Sequence, residues 1–104
     1  MNLPFSKTRR VGNTVYLAGE IGFDADGKVP AGIEAQTRRV MDNLILVLNG
    51  LGLSINNVVQ ARVYLTHFER DYQPMNAVYQ SYFASGRLPA RTCIGVTGLA
   101  VGAL

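Results

Sequence analysis

The residues most able to do chemistry lie in one stretch near the end of the chain, Leu88-Pro89-Ala90-Arg91-Thr92-Cys93-Ile94-Gly95-Val96. Proline is tolerated at the first residue of a strand but not in its middle, so Pro89 predicts that a strand begins here. Alternation then puts Arg91, Cys93 and Gly95 on one face of that strand. An arginine fixed there presents a planar, permanently charged fork that suits a carboxylate or phosphate. The stretch predicts a small-anion pocket with Arg91 at its floor, although residue type alone favours an ordinary ion pair with a neighbouring Asp or Glu.

The other reactive side chains form no recognisable constellation. Cys93 and His67 are the single cysteine and the single histidine of the chain, which gives no metal-ligand set. His67 could serve as a base, but without a partner signature it is predicted to be a satisfied loop histidine. The run Asp24-Ala25-Asp26-Gly27 resembles the start of a calcium loop, yet the later ligands and the glutamate are missing, so that interpretation is rejected.

Length and composition limit the class of protein. The 104 residues predict a single domain over residues 1–104. Only 16% of them are charged and 48% are hydrophobic, so some apolar surface is expected to be buried against another subunit. A net charge of +3, with basic clusters only at Arg9-Arg10 and Arg38-Arg39, is too mild and scattered for nucleic-acid binding. One cysteine and no signal-peptide or membrane-span pattern predict a reduced, cytoplasmic setting.

The N-terminal part predicts a β-hairpin. Residues 5–10 form a short polar strand in this interpretation, and Gly12-Asn13 between two extended runs is typical of a hairpin turn. Residues 14–18 are β-branched and apolar, which predicts a buried central strand. Gly19 ends that strand and would let a ligand or another backbone come close. Residues 20–32 have turn composition and are predicted to be a loop.

Two helices and two strands alternate in the rest of the chain. Residues 33–51 carry apolar side chains at helical spacing, with Gln36 mainly off that stripe. Residues 58–66 predict a strand with one face toward the helices and the other toward another subunit or the interior of an oligomer. Residues 71–84 predict a second helix that Asp71 caps. Its aromatic stripe, predicted to be core, comprises Tyr72, Met75, Tyr79, Tyr82 and Phe83.

This order, β-β-α-β-α-β, predicts an α+β fold, with a mixed sheet and both helices on one face. The other face of the sheet would be open, which is a reason to expect an oligomer. The tail after Gly98 is predicted to be a loop with the start of one more strand.

A set of short motifs runs over essentially the whole chain. The most specific is Pro89-Ala90-Arg91-Thr92-Cys93. The weaker ones are Gly12-Asn13, Gly19, Gly22, Ala35-Gln36-Thr37, Asn43-Leu44, Gly52-Leu53, Val63-Tyr64-Leu65, Asn76-Ala77-Val78-Tyr79 and Phe83. In these motifs the chain resembles the reactive-intermediate deaminase family (RidA, also called YjgF). The resemblance implies a chorismate-mutase-like fold and a homotrimer whose sheets form a central barrel, with sites in the clefts between subunits.

The resemblance also implies an activity, the hydrolysis of reactive enamines and imines to 2-keto acids and ammonia. The implied substrates are small anions such as 2-iminobutanoate and 2-iminopropanoate, and no metal or organic cofactor is used. Arg91 would hold the substrate carboxylate, and the backbone around Cys93 would hydrogen-bond the carboxylate or the imine nitrogen. The Cys93 thiol need not be a nucleophile, since a role as a small apolar strand residue fits it at least as well. Gly19 would line the cleft, and Asn76 would support it.

Three positions depart from the family pattern. Phe5 stands where many active members have a tyrosine, so this substrate-binding position has no hydroxyl, and Ala18 replaces a serine. A glutamate on the family's last strand would fall just past Leu104. Either the chain lacks its last strand, or it is a member without that carboxylate. Glu20 is a weak substitute, because alternation points it away from the neighbour it would need.

Two functions remain in competition after these departures. The first is an enamine/imine deaminase, and the second is a non-catalytic module that binds small carboxylates such as 2-keto acids. A ribonuclease or translation inhibitor ranks last, because the sequence has no basic groove and no convincing His/Glu pair.

Overall fold

Four strands and two helices follow one another in the predicted order, and the α+β fold class is confirmed. The structure, a computed structural model, describes residues 3–83 and 86–104. Its elements are β1 (Thr8–Val11), β2 (Thr14–Leu17), α1 (Ile33–Gly50), β3 (Gln60–Leu65), α2 (Phe68–Ser81) and β4 (Ala90–Gly95). Short 3-10 turns lie at Ile55–Asn57 and Ala100–Gly102. None of the helices in the described ranges is long and apolar enough to cross a bilayer.

Hydrogen bonds divide the four strands into two pairs in the described part of the chain, rather than one mixed sheet. β1 and β2 pair antiparallel, from Thr8 opposite Leu17 to Val11 opposite Thr14. β3 and β4 pair parallel, from Gln60 opposite Ala90 to Leu65 opposite Gly95, with α2 as the crossover. Each pair is closed by its own connection, a two-residue turn or a helix, so neither needs the other to form its ladder.

The hairpin forms where the sequence predicts it, but it is not buried. Gly12 has φ +59°, a left-handed conformation that glycine adopts without steric cost and that hairpin turns require. The expectation of a buried central strand at β2 is wrong, because Tyr16 is 62% exposed and burial alternates along the strand. Phe5 precedes β1 and is also mostly exposed. β-Branched composition indicates a strand, whereas burial depends on whether another element covers it.

Helix α1 carries the 20–32 loop on its side. Gln36, predicted to lie off the apolar stripe, is buried. Its Nε2 donates to the Pro30 carbonyl at 2.9 Å, and its Oε1 accepts the Leu104 backbone N–H at 2.8 Å. Asn43 Nδ2 donates to the Phe23 carbonyl at 2.9 Å. Polar side chains of the helix therefore replace the hydrogen bonds that a loop backbone would otherwise make with water.

Helix α2 and Phe83, which follows it, supply three of the five residues of the main core cluster, as the aromatic stripe predicts. Met75, Tyr79 and Phe83 are buried and pack with Met41 of α1 and Leu65 of β3. The helix begins at Phe68 and ends at Ser81, three residues earlier than predicted at each end, and residue 84 lies outside the described residues.

The predicted cap at Asp71 is wrong. His67 occupies the N-cap position of α2, and Asp71 lies in the first turn of the helix, where it is almost fully buried. Its carboxylate accepts two hydrogen bonds from the Arg70 guanidinium, at 2.8 and 2.9 Å. This pairing lowers the pKa of Asp71, and burial opposes the shift. A carboxylate in the first turn also complements the positive end of the helix dipole.

The tail does not begin a further strand in the described residues. Ala100–Gly102 is a 3-10 turn, and Leu104 lies at the end of β3, where its carbonyl accepts the Thr66 N–H at 2.9 Å. The chain end is thereby fastened to both β3 and α1.

Candidate functional site

Strand β4 turns Arg91 toward helix α2. Burial alternates along the strand as the sequence predicts, with Arg91 and Cys93 partly buried and Thr92 and Ile94 exposed. Cys93 packs on the core cluster that includes Tyr79. The face of β4 that carries the candidate anion-binding arginine is therefore the face that the helix covers.

The Arg91 guanidinium lies over two aromatic rings of α2. Its Cζ is 4.9 Å from the centroid of the Tyr79 ring and 5.8 Å from that of Tyr72. Both distances are within the range of a cation–π interaction. The ion pairs found in residues 3–83 and 86–104 are Lys7 with Glu20 and Arg70 with Asp71, so the alternative of an ordinary ion pair for Arg91 is not realised there.

Burial and the charge of Arg91 shift the pKa values of Cys93 and Tyr79 in opposite directions. Burial raises the pKa of the Cys93 thiol, and the positive charge of Arg91 partly offsets that rise. The pKa of the Tyr79 hydroxyl is raised in the same way, again with Arg91 opposing. Since the thiolate is the nucleophilic form of cysteine, a raised pKa leaves Cys93 predominantly a neutral thiol at pH 7.

Two buried oxygen atoms on α2 have no hydrogen-bond partner within the described ranges. They are the side-chain Oδ1 of Asn76 and the hydroxyl oxygen of Tyr79. The two residues are three positions apart, so they lie one helical turn from each other. A buried polar atom left without a partner costs free energy. Of the two, Asn76 is the predicted site residue, and its Oδ1 is a candidate to accept a hydrogen bond from a ligand.

The other candidate residues make contacts of their own. Gly19 follows the hairpin, and a Cβ added there would meet no atom within 4 Å. Glu20 lies 4.0 Å from the Lys7 ammonium, and the His67 ring contacts the Thr66 hydroxyl through Nδ1, at 3.0 Å. The aromatic partners of Arg91 in the described residues are Tyr72 and Tyr79 of α2, and Phe5 is not among them. No group of three or more metal-ligating side chains occurs in the described residues.

The aromatic support of Arg91 is the feature that sequence reasoning missed. Tyr72 and Tyr79 were placed in the core by their helical spacing, with no link to the arginine. Their separation of seven residues puts them on one face of a helix, and a parallel β-α-β unit packs such a face on its strands. Helical spacing together with the crossover was the signal available.

Two open surface pockets lie elsewhere in the described residues. One, of about 220 Å³, is lined by Glu34, Arg38, Pro74, Ala77, Val78 and Ser81. The other, of about 280 Å³, lies between the 20–32 loop and α1, and Arg38 lines it too. Neither includes Arg91, so the arginine lies on a partly open surface rather than in one of these pockets.

The chain is thus a small α+β protein with an arginine on its parallel strand pair, and aromatic rings of a helix lie against the guanidinium of that arginine. The family model described as Endoribonuclease L-PSP matches residues 2–104. The chain belongs to this family, which is the RidA/YjgF family that its motifs resemble.

Similar proteins carry more specific names. The chain is 39% identical over 98 residues to a RutC family protein of Pyrococcus abyssi, an alignment that covers 92% of this chain and 76% of that protein. It is 35% identical over 101 residues to the 2-iminobutanoate/2-iminopropanoate deaminase of Mus musculus, an alignment that covers 95% of this chain and 73% of that protein. The crystal structure of RidA from an Antarctic Psychrobacter superposes with a TM-score of 0.91 at 33% identity, which covers 97% of this chain and 81% of that one.

Proposed function

We propose that this protein hydrolyses small reactive 2-enamine and 2-imino acids, such as 2-iminobutanoate and 2-iminopropanoate, to 2-keto acids and ammonia. The observation that carries the proposal is Arg91, whose charge has no acidic partner in the described residues and lies at the edge of the core. A guanidinium in this state suits a small carboxylate, which it can grip with two parallel hydrogen bonds. Relatives named as imine deaminases support the reaction class.

The reaction asks little of the protein. Water adds to the carbon of the protonated C=N bond, the C–N bond breaks, and the products are a C=O group and ammonia. Because an iminium carbon is already electrophilic, the main requirements are a fixed carboxylate and a positioned water. Arg91 would supply the first. Cys93 would contribute its backbone groups and a small apolar side chain, in keeping with the raised pKa of its thiol.

The remaining assignments of the site belong to the same proposal. Asn76 would support the substrate through the Oδ1 atom that lacks a partner here. Gly19 and Phe5 would line the cleft from the hairpin side, with Phe5 contributing only apolar surface. No metal or organic cofactor enters the scheme.

The proposal includes a homotrimer in which the cleft is completed between subunits. The outward face of the parallel strand pair carries Tyr64 and Ile94, which lie opposite each other and are each 44% exposed. Apolar side chains grouped on an open sheet face favour burial against another copy. Sedimentation equilibrium would test this part by itself, and a monomeric mass at micromolar concentration would contradict it.

A non-catalytic role as a binder of 2-keto acids is the second candidate. The observation that favours it is the side chain at position 5, a phenylalanine that is 55% exposed and has no hydroxyl to offer a substrate. Binding and catalysis differ in one measurement, the rate of imine loss, because both functions need the same arginine.

The test combines that rate with an affinity. A threonine dehydratase generates the imine, semicarbazide traps what remains, and titration calorimetry measures the binding of 2-oxobutanoate. Removal of two charge-assisted hydrogen bonds by Arg91→Ala should weaken binding by at least about tenfold and abolish any acceleration of imine loss. Arg87→Ala, an exposed arginine removed just before the same strand, is the matched control and should change neither.

The outcomes separate the two candidates. Faster imine loss that depends on Arg91 supports the deaminase. Binding that depends on Arg91 without acceleration supports the binder. If Arg91→Ala and Arg87→Ala behave alike in both assays, the site is wrong.

A further inference from the structure

Arg91 is supported in an unusual way for a half-buried arginine. A buried or half-buried guanidinium is ordinarily paired with a carboxylate, which accepts two or more of its N–H groups. Here the guanidinium lies over the rings of Tyr79 and Tyr72, at 4.9 and 5.8 Å from their centroids. A ring attracts the cation through its negative face and takes up no in-plane N–H donor. In residues 3–83 and 86–104, none of its five N–H donors has a hydrogen-bond partner, so these donors are left for other partners.

The two rings are themselves fixed by packing. Tyr79 is buried in the core cluster, and its ring lies 5.0 Å from that of Phe83. Tyr72 stacks on Phe68 with centroids 4.8 Å apart. Both tyrosines belong to α2, seven residues apart, and both lie within reach of Arg91. Two packed aromatic rings thus lie beside the guanidinium and restrict its position.

We propose that Tyr79, assisted by Tyr72, is the positioning residue for Arg91 and takes the place of an acidic partner. The rings offset part of the free-energy cost of desolvating the cation, while the N–H groups at the edge of the guanidinium stay open to a carboxylate. An acidic partner would compete with that carboxylate for the same donors, whereas an aromatic face does not. This inference rests on the proposed function, since it assumes that Arg91 binds a carboxylate.

The tyrosine hydroxyl offers a way to separate positioning from packing. The Tyr79 oxygen is buried without a hydrogen-bond partner in the described residues. Tyr79→Phe keeps the ring beneath Arg91 and removes only this atom, so it should bind 2-oxobutanoate as the unaltered protein does. Tyr79→Leu keeps an apolar side chain but removes the ring face, and it should weaken binding by about threefold to thirtyfold.

The experiment measures the arginine directly as well as the ligand. In ¹H–¹⁵N spectra, the Nε–Hε resonance of Arg91, assigned by its absence in Arg91→Ala, should be shifted upfield by the rings. The shift should persist in Tyr79→Phe and largely disappear in Tyr79→Leu. The thermal unfolding of each variant is measured alongside the titrations to detect loss of stability. Loss of stability alone would not move the Arg91 resonance. Should Tyr79→Leu fail to fold, Tyr72→Leu replaces it, since Tyr72 is only partly buried, with a smaller change in shift and affinity expected.

The possible results are distinct. Binding that survives Tyr79→Phe and weakens in the leucine variant, together with loss of the upfield shift, supports the inference. If the leucine and phenylalanine variants both bind as tightly as the unaltered protein, the inference is overturned, while Arg91 remains the ligand site. Equally weakened binding by both variants overturns it too, because the hydroxyl rather than the ring would then matter. If unaltered protein and Arg91→Ala bind 2-oxobutanoate alike, the proposed function itself has failed.

Discussion

Arg10 and Arg91 are both arginines on short strands, and the structure treats them differently. Arg10 lies on the exposed hairpin and donates through Nε to the Gly12 carbonyl, at 3.0 Å, across its own turn. Arg91 lies on β4 and is held by the ring faces of Tyr72 and Tyr79, which belong to the preceding helix α2. The comparison shows that a packed helix can restrain an arginine without pairing it with an acidic side chain.

The same contrast separates the two regions that carry these residues. The hairpin, β1 with β2, is made by a turn and a ladder, and most of its side chains are exposed. The helix–strand unit, α1, α2, β3 and β4, contains the main core cluster. Turn chemistry alone can specify a hairpin, but a rigid binding group needs a covered face. We therefore expect the helix–strand unit, rather than the hairpin, to contribute most of the free energy of unfolding.

The largest expected effect comes from a phenylalanine removed in each region. Phe83→Ala empties a position that is 4% exposed and should lower the free energy of unfolding by about 3–5 kcal/mol. Phe5→Ala, at a position that is 55% exposed, should change it by less than about 0.5 kcal/mol. Urea unfolding followed by circular dichroism measures both. Similar losses for the two variants would mean that the hairpin region belongs to the same core.

A glycine pair gives the next largest effect. A Cβ at Gly22 would lie 2.8 Å from the Gln36 carbonyl oxygen and 3.3 Å from the Cβ of Arg39, so the loop would have to move off α1. Gly22→Ala should therefore cost about 1–3 kcal/mol in unfolding free energy. Gly19→Ala meets nothing within 4 Å and serves as the matched control, with a change below about 0.5 kcal/mol. An equal cost at Gly19 would show that another surface approaches it in solution.

The smallest effect is a pH dependence that comes from Asp71. Its pKa is lowered in the folded state by the hydrogen bond from Arg70, so the unfolded chain binds protons more readily. Its contribution to stability is therefore present above the ordinary carboxyl pKa, near 4, and is lost as the pH falls through the lowered value. Asp71→Asn should be less stable than the unaltered protein at pH 7, and the difference should shrink as the pH falls below the ordinary carboxyl pKa, near 4. The difference is small because Arg70 is largely exposed, and its persistence at low pH would exclude the charge as its origin.

Some features of the fold follow from short-range pattern. The glycine in the hairpin turn, the helical spacing in α1 and α2 and the proline before β4 each act through neighbours a few residues away. The order of elements and the face of β4 that carries Arg91 were accordingly predicted. Boundaries moved by up to three residues, as at α2, because the ends of an element depend on which groups cap it, and His67 rather than Asp71 lies at that end.

From the amino-acid sequence one could predict that Arg91 stands near the start of a strand, on one face with Cys93, in an α+β chain of this family. The aromatic rings beside the arginine, the exposure of β2 and the burial of Gln36 became visible in the folded chain. Each of these depends on which distant element covers a face, and periodicity shows that a face exists without showing its partner. Tyr79 reaches Arg91 because α2 packs across β4, and that contact is a property of the packed fold rather than of either segment.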